Sequence, residues 1–342
     1  MLARPYSAAV AALLLLPLAA GAQDRPPILD VHLHAYGAAA QGPPPVAICA
    51  PFEAFPTWDP AKPYAPTFEA MMQGEGCDSP LWSPETDEAL LAETVAAMER
   101  FNVFGVLSGT PERVAEWREA APGRFIPGLG FNVARHADVF TPDSVRALVE
   151  AGRLAVLAEV TNPYAGVAPA DDQMAPYWAL AEELDLPVGI HLGPGPPGIR
   201  HVGFDGVDMQ ARLSSALTME PVLVRHPQLR VYLMHAGYPQ LDDLLSLLYV
   251  YPNVYVDIGV VVATQPRPAF YRFLRGIVEA GFGTRVMFGS DQMVWPGLIE
   301  RSIEVIEEAP FLSDEQKRDI FYHNAARFLR LSDEEIARHH GD

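Results

Sequence analysis

The chain has 342 residues, 49% of them hydrophobic, and a formal net charge of −19. A chain of this length buries a large core without staples, and its acidity argues against nucleic acid and anionic membrane surfaces as partners. Only two of its cationic side chains are lysines, Lys62 and Lys317, which removes several lysine-based chemistries.

Residues 1–22 read as an export signal. Arg4 supplies the positive start, Ala8 to Leu18 the apolar run, and Ala20-Gly21-Ala22 the small-x-small cleavage pattern, leaving Gln23 as the mature N-terminus. The apolar run is shorter than the ~20 residues a bilayer span needs, and no later stretch reads as a span. The expectation is an exported protein, periplasmic or secreted, with no stable membrane insertion and one domain over residues 23–342. Cys49 and Cys77 are the two cysteines. Export favours their pairing, which spacing alone leaves open.

Short apolar runs then alternate with longer amphipathic ones. Ile28 to His34 is the first strand. Residues 35–84 are rich in Pro, Gly and aromatics, including Trp58, Tyr64, Phe68 and Trp82, and show no sustained period; a segment of this length reads as an insertion over one barrel end, acting as a lid. Seven further strands follow: Val103 to Leu107, Phe125 to Phe131, Leu154 to Val160, Pro187 to Leu192, Leu229 to Met234, Val254 to Ile258 and Arg285 to Phe288. Helical segments separate them, at Pro84 to Phe101, Pro111 to Ala120, Thr141 to Glu150, Ala175 to Leu184, Met209 to Arg225, Leu241 to Val250 and Pro268 to Ala280. Gly297 to Glu308 and short tail helices over Ser313 to Arg338 complete the chain. Eight strands, each followed by a helix, predict an α/β fold of the closed (β/α)8 TIM type, with a long insertion after strand 1 and C-terminal helices. An open doubly wound sheet is disfavoured, because no Gly-rich phosphate fingerprint follows an early strand.

Such barrels carry their sites at the C-terminal strand ends. There the sequence places His32 and His34, Glu159, His191, His235 and Asp291. The His-x-His spacing puts two imidazoles on one strand face, where both can bind one divalent ion. Carboxylates beside imidazoles suit a hard or borderline cation such as zinc. Any one of these residues alone reads more readily as structural. Four buried histidines and two buried acids stacked together without a cation would be costly.

The ordered set His32-x-His34, Glu159, His191, His235 and Asp291 resembles the amidohydrolase superfamily. The ending Asn324-Ala325-Ala326-Arg327-Phe328-Leu329 is similar to the tail of its amidohydrolase-related (amidohydrolase 2) branch. The resemblance runs from about Ile28 to Leu331 and implies a distorted barrel holding one or two divalent metals. The family's carboxylated lysine has no counterpart here. The family's glutamate-bridged version would set one metal on His32, His34 and Asp291 and another on His191 and His235, with Glu159 between. Its mononuclear version would use His32, His34, His191 and Asp291, leaving His235 for the substrate. The strand-end position of Glu159 favours the bridged form.

A metal-activated water with Asp291 as general base predicts hydrolysis of an amide, lactone or ester of a small molecule. The rivals are a metal-dependent decarboxylase of the same family and a non-catalytic metal- or ligand-binding protein. Arg200 could fork onto a substrate carboxylate. Asn162, Tyr164, Tyr238 and Trp295 follow strands at the same rim and are candidate pocket residues. The oligomeric state, a homo-oligomer included, is open at this level.

Overall fold

The computed structural model describes residues 25–75, 77–193 and 195–341; the expected export signal lies outside them. Eight barrel strands run in chain order: β1 (Ile28–His34), β2 (Val103–Ser108), β3 (Phe125–Pro127), β4 (Leu157–Val160), β5 (Val188–His191), β6 (Val231–Met234), β7 (Val254–Asp257) and β8 (Val286–Met287). All neighbouring pairs within β1–β3 and within β4–β8 are parallel. Parallel bridges at Gly128–Val156 and Phe131–Val160 join β3 to β4. Val31 N–H donates to Phe288 O at 3.0 Å and ties the β8 side back to β1, so the (β/α)8 barrel is closed.

The core has two layers. Leu29, Val31, Val106, Tyr232, Met234 and Met287 share one buried cluster with Tyr322, Ala325 and Phe328 of the tail. These fill the lumen and its N-terminal end. Ile28, Leu33, Leu107 and Ile190 belong to the outer layer between strands and helices. The parity on β1 therefore changes: Leu29 and Val31 face inward, whereas Leu33 faces outward. A register irregularity lies between Asp30 and Leu33. Bulges of this kind re-aim side chains beside active sites, and this one brings His32 and His34 to the lumen side above Val31.

The helices Pro111–Ala120 and Leu241–Val250 fall where the apolar period places them. Thr141 caps Pro142–Glu150 by accepting from Ser144 N–H. Three expectations need correction. The single helix over 209–225 is two 3-10 turns followed by Glu220–Arg225. There Ser215 sits extended and bonds Leu217 N–H, which interrupts the helix, and Pro221 restarts it. The segment 268–280 leaves the α-helix after Ile277 for a wider turn in which Gly281 has φ 90°. The insertion is more ordered than its composition suggests: it holds a helix, Ala65–Ala70, and an antiparallel pair of Ala47–Ile48 with Leu81–Trp82.

Cys49 and Cys77 are disulfide-bonded, with 5.8 Å between their Cα atoms. The bond closes a segment spanning 28 positions, a constraint that stabilises by about 3–4 kcal/mol in the chain-entropy account. The insertion leaves β1 and docks on the loop that leaves β5. Tyr64 Oη donates to Pro197 O at 3.1 Å, and Trp58 packs on His201 with ring centroids 4.7 Å apart. Gly198 has φ 70°, and a Cβ there would lie 2.3 Å from the Tyr64 ring, so the contact requires glycine.

The tail closes the opposite end. His339 in the helix Asp333–His340 stacks on Phe104 at 4.0 Å, and its Nδ1 lies 3.0 Å from Tyr322 Oη. Burial, helped by Arg338, pushes its imidazole down to about 4, below the ordinary 6.5. The unfolded chain then binds the extra proton between these values, so stability falls as pH drops from about 6.5 to about 4. A melting-temperature series over that range is expected to slope less steeply for His339→Phe than for the parent; equal slopes would remove His339 as the cause.

Candidate metal centre

The six ligand-type residues meet above the lumen. His32 and His34 end β1, Glu159 lies in β4, His191 ends β5, His235 follows β6 and Asp291 follows β8. All six are buried, none more than 6% exposed. Three overlapping groups have ligand atoms within 4.8 Å of one another: His32–His34–Asp291, Glu159–His191–His235 and His32–His235–Asp257.

Glu159, a member of the second group, stands between it and the first. Its Oε1 lies 2.6 Å from His191 Nδ1 and 3.4 Å from His235 Nε2. Its Oε2 lies 3.7 Å from His34 Nε2 and 3.9 Å from His32 Nε2. Asp291 Oδ1 lies 3.0 Å from His34 Nε2 and 3.5 Å from His32 Nε2. Among the described residues, His32 Nε2, His34 Nδ1, His191 Nε2 and Asp291 Oδ1 are buried without a hydrogen-bond partner. Orphaned groups of this kind cost about 1–3 kcal/mol each unless a ligand satisfies them. Of these, His32 Nε2 and Asp291 Oδ1 lie 3.5 Å apart beside His34 Nε2 and Glu159, a donor set that fits a divalent cation.

The electrostatics follow from the crowding. Burial alone would raise the Glu159 carboxyl, but the hydrogen bond and charge of His191, then His235 and His32, hold it well below the ordinary value. Burial likewise opposes Asp291, and His32 and His34 outweigh it, so this carboxyl is lowered too. His191 is lowered by burial and by His235. The acids are thus held in the ligating, ionised form.

Several rim residues have left-handed backbones: His235 (φ 63°), Ala236 (φ 55°), Val260 (φ 49°), Asp291 (φ 51°) and Met293 (φ 45°). Such positions cost about 1–3 kcal/mol each in non-glycine residues and cluster at functional sites. Hydrogen bonds from their own N–H groups hold three of them, Val260 through Ser290 O at 3.2 Å among them. Asp291 N–H donates to His32 O at 2.9 Å, and His235 N–H donates to Asp257 Oδ1 at 3.0 Å.

The remaining candidates separate. Tyr164 lies against His191, with ring centroids 4.5 Å apart. Asn162 Oδ1 accepts from Val133 N–H at 2.8 Å, while its Nδ2 is buried without a partner among the described residues. Tyr238 packs edge-on against Phe273 at 5.0 Å. Trp295 is 1% exposed and donates its indole N–H to Val46 O at 2.9 Å, so it supports the insertion from within the core. Arg200 is turned into its own loop through Nη1, which donates to Asp208 and to Met209 O.

Sequence reasoning missed four residues. Asp257 ends β7 and bonds His32 Nδ1 at 3.0 Å. Asp30 accepts from His32 N–H at 2.9 Å and Ser290 N–H at 3.1 Å, pinning β1 to the β8 loop. Gln292 clasps the His34 backbone, accepting from its N–H at 2.9 Å and donating to its O at 2.7 Å. Tyr36 stacks on His34, with centroids 4.5 Å apart and planes 19° from parallel. The strand-end rule that found His191 applies equally to Asp257, whereas a buried role for Asp30 and Gln292 leaves no mark on local pattern.

Fold and cluster together define a class: barrel enzymes whose strand ends hold a divalent metal in imidazole and carboxylate ligands. The Amidohydrolase family model matches residues 29–331, and the chain belongs to that family. Protein fluG of Emericella nidulans is 23% identical over 208 residues; the match takes in 56% of this chain but only 24% of that protein. The chain thus spans about a quarter of the length of that curated relative. Among solved structures, 5-carboxyvanillate decarboxylase from Sphingomonas paucimobilis superposes with a TM-score of 0.55 at 17% identity, covering 90% of this chain and 99% of the other. A probable 2-pyrone-4,6-dicarboxylic acid hydrolase from Acinetobacter baumannii gives 0.55 at 14% identity, with 89% and 99% covered. At these identities the likeness shows the fold. Among the described residues, no helix is long and apolar enough to cross a membrane.

Proposed function

We propose that the protein is a metal-dependent hydrolase that cleaves an amide, lactone or ester bond of a small molecule, with His32, His34 and Asp291 as the residues that would hold one divalent ion, His191 and His235 those that would hold a second, and Glu159 available to both. The observation that carries this reading is the division of Glu159: one carboxylate oxygen faces His191 and His235, the other faces His32 and His34. Zinc fits donors of this kind. Export of a single domain, residues 23–342, after removal of residues 1–22 is part of the proposal, and the Cys49–Cys77 bond supports an oxidising compartment.

Divalent ions bound there would supply Lewis acidity and would lower the pKa of a bound water toward neutrality. The chain's own residues supply the rest. Asp291 orients the attacking water, accepts its proton and passes it to the leaving group. His235 keeps its Nε2 turned into the cluster, because its Nδ1 lies 2.8 Å from Gly259 O and is the protonated nitrogen there. Tyr36 and Tyr164 flank the two halves of the centre. Burial, and the charges of Glu159 and Asp291, raise both phenols, so they stay neutral and can donate to the substrate oxygen that gains negative charge. Loss of one such donor is expected to lower kcat about 10²-fold. Steady-state kinetics of Tyr36→Phe and Tyr164→Phe check this, and unchanged turnover in both would withdraw the role.

Decarboxylation is the main rival. A single ion with His235 free of it would leave decarboxylation open, whereas Glu159 and His235 both serving as ligands would favour hydrolysis; the 3.4 Å between His235 Nε2 and Glu159 Oε1 supports the second arrangement. Turnover of a panel of small esters, lactones and amides in 18O-labelled water separates the readings. Hydrolysis places label in the new carboxyl group. Release of CO2 from a carboxylated aromatic, with no labelled product from the panel, would select the lyase. Ion binding without either reaction would select a binding protein.

A further inference from the structure

The third of the metal-type groupings, His32–His235–Asp257, is not a third ion position. Both oxygens of Asp257 are already engaged by the protein. Its Oδ1 accepts from His235 N–H at 3.0 Å and from Gly259 N–H at 2.8 Å. Its Oδ2 lies 3.0 Å from His32 Nδ1. Asp257 is 0% exposed, so bulk solvent does not reach these bonds.

We propose that Asp257 is the positioning residue of the centre: it fixes His32 as the Nδ1–H tautomer, so that the Nε2 lone pair faces the ions, and it anchors His235 through its backbone. The inference rests on the two-ion reading for its purpose, though not for its geometry. A carboxylate facing Nδ1 holds the proton on that nitrogen, because only then is there a donor between them. His32 Nε2 is consequently the acceptor side, and it is one of the buried nitrogens without a protein partner. The same carboxylate reaches the other half of the centre. His235 N–H and Gly259 N–H both end on Oδ1, and Gly259 O in turn sets the His235 ring through Nδ1. One side chain from β7, ligating nothing itself, thus sets a histidine in each half.

The surrounding chain is shaped for this pair. A Cβ on Gly259 would lie 2.5 Å from His32 Nδ1 and 3.2 Å from Asp257 Oδ1. A Cβ on Gly289 would lie 2.9 Å from His32 Cβ and 3.4 Å from Asp257 Cγ. Distances below 3.0 Å are contacts real Cβ atoms essentially never make. Glycine at both positions leaves the room that the His32–Asp257 contact occupies.

Asp257→Asn tests the assignment with little change of volume. The amide oxygen can still accept the two backbone N–H groups, which turns the NH2 toward His32 Nδ1. Two donors cannot face each other, so His32 must move its proton to Nε2, the atom required for the ion. The 15N-histidine NMR spectrum of the full chain is expected to show His32 changed from the Nδ1–H to the Nε2–H form. Competition of the Zn2+-loaded chain with a chelator is expected to show affinity lowered about 10–100-fold, with kcat reduced and KM little changed. An unchanged His32 tautomer with parental Zn2+ affinity would overturn the proposal. If Asp257→Asn does not fold, Gly259→Ala decides: it keeps the carboxylate but displaces the His32 ring, and parental Zn2+ affinity in that variant would equally overturn it. The parent protein's own ion count reports on the two-ion reading separately, since fewer than two ions there leaves the tautomer result intact.

Discussion

Asp291→Asn is expected to lower kcat by about 10²–10⁴-fold, the range for loss of a positioned general base, while the protein keeps its fold and at least one bound ion. The substitution is conservative where it matters. Asp291 has φ 51°, a left-handed conformation that asparagine tolerates as well as aspartate does, and its backbone N–H, not its side chain, holds it to His32 O at 2.9 Å. The amide oxygen can still occupy the position of Oδ1, 3.0 Å from His34 Nε2. What asparagine cannot do is accept a proton from water. Burial opposes the Asp291 charge, but His32 and His34 hold the carboxyl below its ordinary value, so the parent side chain is ionised and ready as a base at neutral pH. Single-turnover and steady-state kinetics, with metal content measured on the same preparation, check this. Full turnover in a metal-replete variant would move the base to another group.

Glu159→Gln is expected to halve the ion content, from two per chain to one, and to reduce kcat by at least 10²-fold. Both oxygens of Glu159 face histidine nitrogens, at 2.6 Å on the His191 side and at 3.7 Å on the His34 side. An amide presents an N–H group to one of those sides and so turns a ligand into a donor there. The side chain is 6% exposed and carries a charge that three histidines stabilise. Removing a charge from a buried, paired set leaves its partners uncompensated, so lower thermal stability of the metal-free variant is expected as well. Elemental analysis counts the ions. Two ions retained in Glu159→Gln would place the bridge elsewhere.

The fold was legible because its signals are local. Amphipathic periods placed Pro111–Ala120 and Leu241–Val250, a threonine cap placed the start at Pro142, and short apolar runs placed all eight strands. The His-x-His spacing also pointed the right way, although for an incomplete reason. Strict alternation would have left His32 and His34 facing away from Leu29 and Val31, and only the irregularity between Asp30 and Leu33 brings both pairs to the lumen side. What stayed hidden depends on distant partners. The pairing of Ala47–Ile48 with Leu81–Trp82 joins segments far apart in sequence, and no local pattern announces it. Arg200 reads as a free cation until the loop folds it onto Asp208. Asp257 is a single acid at a strand end, and its meaning comes only from facing a histidine 225 positions away.

Anomalous diffraction from crystals of the zinc-loaded protein tests the central claim most directly. Two peaks are expected, one among His32, His34 and Asp291 and one beside His191 and His235, with the Glu159 carboxylate between them. A lone peak that leaves Glu159 and His235 uncoordinated, or no peak above the barrel lumen, would contradict the two-ion hydrolase.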